Sequence, residues 1–201
     1  MRREKTFIVR MGQDKAEGPG NFYGEFSARA GRVRNDYTSD IRDFDGKQAG
    51  FKSSSAYYGG HLGAGYVWNP TEDLSLDLYG KYLWTRVEGD STTLSTGDSF
   101  TLKTADSHRL RAGGRVASPL NEHVIAYAGA AWEREFDGRA KGTISGYAIP
   151  PASLKGNTGI GELGLALTPS LELPLFIDLG MQGYTGKREG VTGSLKVRFE
   201  F

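Results

Sequence analysis

The sequence predicts an all-β chain: an antiparallel up-and-down β-barrel whose strands span a bilayer. Three observations carry that reading. Period-two alternation of apolar and polar residues runs through most of the 201 residues, and helical periodicity is nearly absent. Many alternating segments exceed the soluble strand of about 5–6 residues and reach the roughly 9–11 that cross a bilayer at a tilt. The links between them alternate short and long, as in a barrel with tight turns at one rim and loops at the other.

The elements follow in order. A short strand is expected near residues 5–12, with Phe7, Val9 and Met11 on one side. Eight long strands follow, at about 21–37, 54–69, 73–88, 98–117, 122–137, 154–168, 173–186 and 191–201. In the second, Ala56, Tyr58, Leu62, Ala64, Tyr66 and Trp68 share a face, opposite Tyr57, His61 and three glycines. In the third, Leu74, Leu76, Leu78, Gly80, Tyr82 and Trp84 oppose Ser75, Asp77, Tyr79, Lys81, Leu83 and Thr85. In the fourth, Leu110, Ala112 and Val116 oppose Arg109, Arg111 and Arg115. In the fifth, Val124, Ala126, Ala128, Ala130, Trp132 and Phe136 oppose Tyr127, Glu133 and Glu135. Leu163, Leu165 and Leu167, then Leu175, Ile177, Leu179 and Met181, continue the pattern. The last strand sets Leu195, Val197, Phe199 and Phe201 against Lys196, Arg198 and Glu200.

Short links surround Pro70, Pro119 and Pro169, and long polar links are expected at about 38–53, 89–97 and 138–153. The Lys187–Gly190 hairpin is an exception, tight at the long-link rim. By organisation, residues 1–20 are a partial strand and turn, and 21–201 are barrel strands.

Composition bounds the function. Mean hydropathy of −0.45 looks soluble, but a barrel alternates lipid-facing and lumen-facing residues and so averages out. No run approaches the roughly 18 apolar residues of a membrane helix. A net charge of +1 gives no reason to invoke nucleic acid. The apolar stretch after the basic start is only Phe7 to Val9, short of the roughly 7–15 residues of a secretory signal. The expectation is therefore a fragment, or the tail of a longer product.

Catalytic and metal motifs are not expected. His61, His108 and His123 form no metal spacing, and no cofactor is implied. Gly59-Gly60-His61-Leu62-Gly63-Ala64-Gly65 superficially matches a phosphate-cradling loop, but alternation runs straight through it and no helix follows. Ser107 and His108 are strand neighbours on opposite faces and cannot cooperate. Glu133 and Glu135 both point to the lumen; acid–base work is conceivable, but pairing with Arg109, Arg111 and Arg115 is the simpler reading. With Glu162 and Asp178, these residues make a candidate lumen charge network. Tyr57, Tyr79, Tyr127 and Tyr184 share the inward parity with many of the 29 glycines, so rings are expected over bare backbone.

The link asymmetry orients the barrel. Trp68 and Phe201 would lie at the periplasmic rim, with Trp84 and Trp132 near the outer rim. Arg86 and Arg134 follow those two tryptophans with the same parity. Aromatics topped by a cation suit a headgroup boundary with phosphate-bearing lipid, so Trp68, Trp84 and Trp132 are candidate lipid-interface residues and outer-membrane lipid a partner.

Several stretches together resemble one family: SAYYGGHLGAGYVW, LSLDLYGKYLWTR, DSHRLRAGGR, AYAGAAWEREFDG, SLKGNTGIGELGL and QGYTGKREGVTGSLKVRFEF. The chain is similar, from about Thr6 to Phe201, to the translocator β-domain of autotransporters, the type V secretion proteins of Gram-negative bacteria. The resemblance implies a twelve-stranded outer-membrane barrel, of which eight or nine strands are present here. It implies a pore crossed by a helix, through which an N-terminal passenger reaches the surface. It also implies a terminal signal read by the outer-membrane assembly machinery, carried onto Leu195, Val197, Phe199 and Phe201. The residues leave two other readings open: a small passive channel or structural barrel, and a soluble ligand-binding barrel with apolar residues inside.

Overall fold

The computed structural model describes residues 3–12 (backbone), 20–42, 44–169 and 175–199. Phe201, expected in the assembly signal and at the periplasmic rim, lies outside them, as does Ser170 of the third short link.

Nine antiparallel strands form one sheet: β1 (Arg3–Gly12), β2 (Gly20–Arg42), β3 (Gln48–Thr71), β4 (Leu74–Val87), β7 (Ala105–Asn121), β8 (Val124–Glu135), β11 (Gly156–Leu167), β12 (Leu175–Gly186) and β13 (Gly190–Phe199). Their order in the sheet is their order in the chain, an up-and-down meander. The sheet curls into a half-barrel. Its edges are β1 and β13, which do not pair with each other among the described residues.

Strand length follows from the uninterrupted alternation. The glycine-rich stretch of β3 is strand throughout, with Gly59, Gly63 and Gly65 facing Arg29, Glu25 and Tyr23 of β2. No phosphate loop forms there. Two-residue turns at Glu72–Asp73 and Glu122–His123 join β3 to β4 and β7 to β8.

The long links differ from expectation. Residues 38–53 are mostly strand, because β2 and β3 continue to Arg42 and Gln48. The links at 89–97 and 138–153, and the start of the expected strand 98–117, build a second sheet. It contains β5 (Asp90–Thr93), β6 (Ser99–Leu102), β9 (Arg139–Ile144) and β10 (Tyr147–Ser153), in the order β10-β9-β6-β5. The strand expected at 98–117 is thus broken at residues 103–104. These strands are short, so their alternation is too brief to stand out. A two-residue turn joins β9 to β10, with Ser145 at φ 49° and Gly146 at φ 84°, the pair of positive angles that suits a hairpin's twist. The small sheet leans on the β2–β3 extension. Phe100 packs on Phe51 with ring centroids 4.8 Å apart, the Thr92 hydroxyl donates to the Lys52 carbonyl at 3.0 Å, and the Asp90 carboxylate accepts from the Ser54 amide at 2.8 Å.

The main sheet has its polarity reversed relative to a soluble barrel. Its outward parity carries Phe22, Phe26, Leu62, Leu78, Leu163, Leu179, Met181, Leu195 and Val197, all exposed. Its inward parity carries the most buried groups, among them Tyr57, Glu133, Thr158, Ile160 and Glu162. A contiguous apolar surface of that extent needs a covering phase. The soluble ligand-binding barrel would put the two sets the other way round.

Candidate lumen wall

Direct cross-strand register builds the densest part of the concave wall. Arg109 faces Glu135 and Arg111 faces Glu133 between β7 and β8. The Arg111 guanidinium donates from Nε and Nη2 to Glu133 Oε2 at 2.9 and 2.7 Å. Arg109 Nη1 lies 3.6 Å from Glu133 Oε1, and its Nε lies 3.8 Å from Glu135 Oε2. Glu135 also accepts from the Ser107 hydroxyl at 2.5 Å and from the backbone amides of His108 and Asp137.

A third cation arrives from outside the strands. Arg188, in the turn between β12 and β13, folds back so that Nη2 donates to Glu133 Oε1 at 2.6 Å. Its guanidinium lies 5.0 Å from the centre of the Tyr184 ring, and its amide donates to Thr158 Oγ1. Burial pulls the Arg188 guanidinium below its ordinary pKa, and Glu133 opposes that shift. Glu133, only 1 % exposed, thus serves three arginines. Both its oxygens are engaged, which suits fixed charge pairing better than proton transfer.

Glycines organise the rest of the wall. Arg115 and Glu162 sit on strands separated by β8, and both face Gly129. Across that bare backbone, Arg115 donates from Nε and Nη2 to the two Glu162 oxygens at 2.7 and 3.0 Å, a two-pronged pair. A Cβ on Gly129 would sit 2.6 Å from Glu162 Oε1. The device recurs twice. Glu25 and Lys81 both face Gly63 and meet at 2.5 Å. Arg29 and Thr85 both face Gly59, and Arg29 Nη2 donates to Thr85 Oγ1 at 2.7 Å.

Tyrosine rings use the same openings. Tyr127 lies against Gly164 and donates to Asp178 at 3.2 Å, and Tyr23 lies over Gly65 and donates to Asp77 at 2.8 Å. The Tyr79 hydroxyl approaches Gly113. Tyr184 instead bonds Gln182 and carries Arg188.

Measured against the sequence reading, Arg109, Arg111, Glu133 and Glu135 come together. Arg115 does not join them. Its partner is Glu162, because Gly129 and not a carboxylate faces it on β8. Asp178 stands apart, between Tyr127 and Lys196, whose ammonium is 3.9 Å away. Arg188 and Glu25 lie outside the expected network, and Lys81, expected only on the polar parity of its strand, pairs with Glu25. Leu195, Val197 and Phe199 lie on the outward parity of the edge strand β13, and Trp68, Trp84 and Trp132 on the outward parity of β3, β4 and β8. Ser107 turns inward to Glu135, while on the other face Nδ1 of His108 lies 2.6 Å from the Tyr82 hydroxyl. His61 lies 2.6 Å from Ser27 Oγ and 3.4 Å from Glu25.

The family model described as autotransporter beta-domain matches residues 10–180. Among solved structures, the chain is similar to the toluene transporter TodX of Pseudomonas putida, with a TM-score of 0.42 and 10% identity, covering 98% of this chain and 78% of that one. A search of curated proteins found no match.

Proposed function

Because the chain belongs to the autotransporter β-domain family, whose role is translocation at the outer membrane, we propose that it walls the conduit for an N-terminal passenger and does no catalysis of its own. The observation that carries this reading is the reversed polarity of the sheet: a charged, hydrogen-bonded concave face behind an apolar convex one. The convex face is complementary to lipid. The concave face is complementary to a hydrated chain or helix, which meets mainly paired charges and hydrogen-bonded polar groups.

The same reading gives roles to the outward residues. Trp68 belongs at the periplasmic rim, and Trp84 and Trp132 at the outer rim, where amphipathic rings are most stable. Leu195, Val197 and Phe199 lie on an edge strand whose side chains are exposed along its length. An unpaired edge with alternating apolar groups is a template for strand addition, which is how assembly machinery would read it, together with Phe201. The small channel is less well supported, because β1 and β13 leave the sheet open among the described residues.

A reporter domain put in the passenger's place, ahead of every barrel strand, tests the proposal. The reporter is expected to be cleaved by protease added to intact cells. A reporter held in the periplasm while the barrel sits in the outer membrane would favour the channel instead.

A further inference from the structure

One group of basic side chains lies on the wrong face for the lumen. Arg86 on β4, His108 on β7 and Arg134 on β8 all have the outward parity, among apolar neighbours. Register places them on one diagonal. Arg86 faces Asp106, two residues from His108, and Leu110 faces Arg134. Each step therefore crosses one strand and descends two residues. The short turns at Glu72–Asp73 and Glu122–His123 recede in the same direction, so the diagonal runs close to the plane of the rim. Directly beneath it, two residues further in on each strand, lie Trp84, Leu110 and Trp132.

None of the three is consumed by a strong partner. Arg86 Nη1 is 3.7 Å from Asp106 Oδ2, a loose and half-exposed pair. Arg134 spends Nη1 on the neutral Asn157 side chain at 3.1 Å and lies near the Phe136 ring. His108 engages Nδ1 with the Tyr82 hydroxyl at 2.6 Å; with that hydroxyl donating, Nε2 carries the proton and is a donor. Arg111 and Arg115 on the inward face of β7 contrast with these, each being hydrogen-bonded through two nitrogens to a buried carboxylate. Two guanidinium groups and an imidazole N–H with donors to spare above an aromatic and aliphatic floor match a ligand with anionic oxygens over acyl chains.

We propose that Arg86, His108 and Arg134 form a binding site for the headgroup phosphates of an outer-leaflet glycolipid, with Trp84, Leu110 and Trp132 against its acyl chains. This rests on the membrane reading above. The site would fix the barrel's depth and rotational setting at the outer surface through two guanidinium–phosphate contacts, where a single basic residue would give only general attraction.

The test uses the full chain reconstituted into phosphatidylcholine vesicles doped with lipid A, with fully dephosphorylated lipid A, or with phosphatidylglycerol. Flotation reports insertion, and quenching of tryptophan by a brominated form of each doped lipid reports binding. Lipid A is expected to bind the inserted chain in preference to the other two. Arg86→Gln and Arg134→Gln should each weaken that binding about tenfold, while Lys196→Gln on the inward face leaves it unchanged. Equal binding of the dephosphorylated lipid or of phosphatidylglycerol, or an unaffected double variant, would overturn the proposal with insertion intact. A chain that fails to float in any vesicle would instead overturn the membrane reading on which it rests.

Discussion

The two faces of the nine-stranded sheet are made of the same strands, and consecutive residues belong to opposite worlds. Met181 is 51 % exposed on the convex face, and its neighbour Gln182 donates to Glu162 in the concave wall. Glu133 is sealed among arginines, and Leu62 stands 67 % exposed. In a soluble protein both would be errors. Together they support the proposed membrane reading, in which the wet side lies inside the curl and the apolar phase outside. Each face is satisfied in its own way, the concave one by partners within the chain and the convex one by what surrounds it.

That contrast yields graded expectations. The largest effect belongs to Glu133→Ala, which strands Arg109, Arg111 and Arg188 around an empty position. Removing one partner of a buried ion cluster costs about 3–5 kcal/mol, and denaturant unfolding of the inserted chain should show it. Leu78→Arg puts a charge on the convex face. It should cost about 2–4 kcal/mol in a bilayer, while in a detergent-free aqueous refolding it should not reduce solubility. Equal destabilisation in both settings would break the comparison. Gly129→Ala should cost about 1–3 kcal/mol, since its Cβ crowds Glu162 and the Gly114 carbonyl. If Gly161→Ala, whose Cβ would meet nothing within 4 Å, is equally costly, the cross-glycine pairing is not what Gly129 provides.

Much of this was legible from sequence because parity is a one-dimensional signal. Alternation in Leu74–Val87 or Val124–Glu135 assigns each residue to a face without knowing any partner. The strands and the inward position of Arg109, Arg111, Glu133 and Glu135 follow from it. What alternation cannot give is register. Parity alone sets Arg115 beside Glu133 and Glu135, whereas its partner lies two strands away across Gly129. Of the expected rings, Tyr127 lies against Gly164 and the Tyr79 hydroxyl approaches Gly113, while the use of glycines as openings for ion pairs needs the three-strand alignment. Arg188 comes from a turn, where there is no parity to read. The small sheet escaped for a different reason: β5 and β6 have four residues each, too few for a period to show.

The most direct test exploits the absence of cysteine from the chain. Met181→Cys and Gln182→Cys are each introduced alone, the chain is reconstituted in lipid vesicles, and a water-soluble, membrane-impermeant maleimide is added. Gln182→Cys should label readily and Met181→Cys should resist until detergent dissolves the bilayer. Labelling of Met181→Cys in intact vesicles as fast as Gln182→Cys would mean that the convex face does not meet lipid, and would contradict the account.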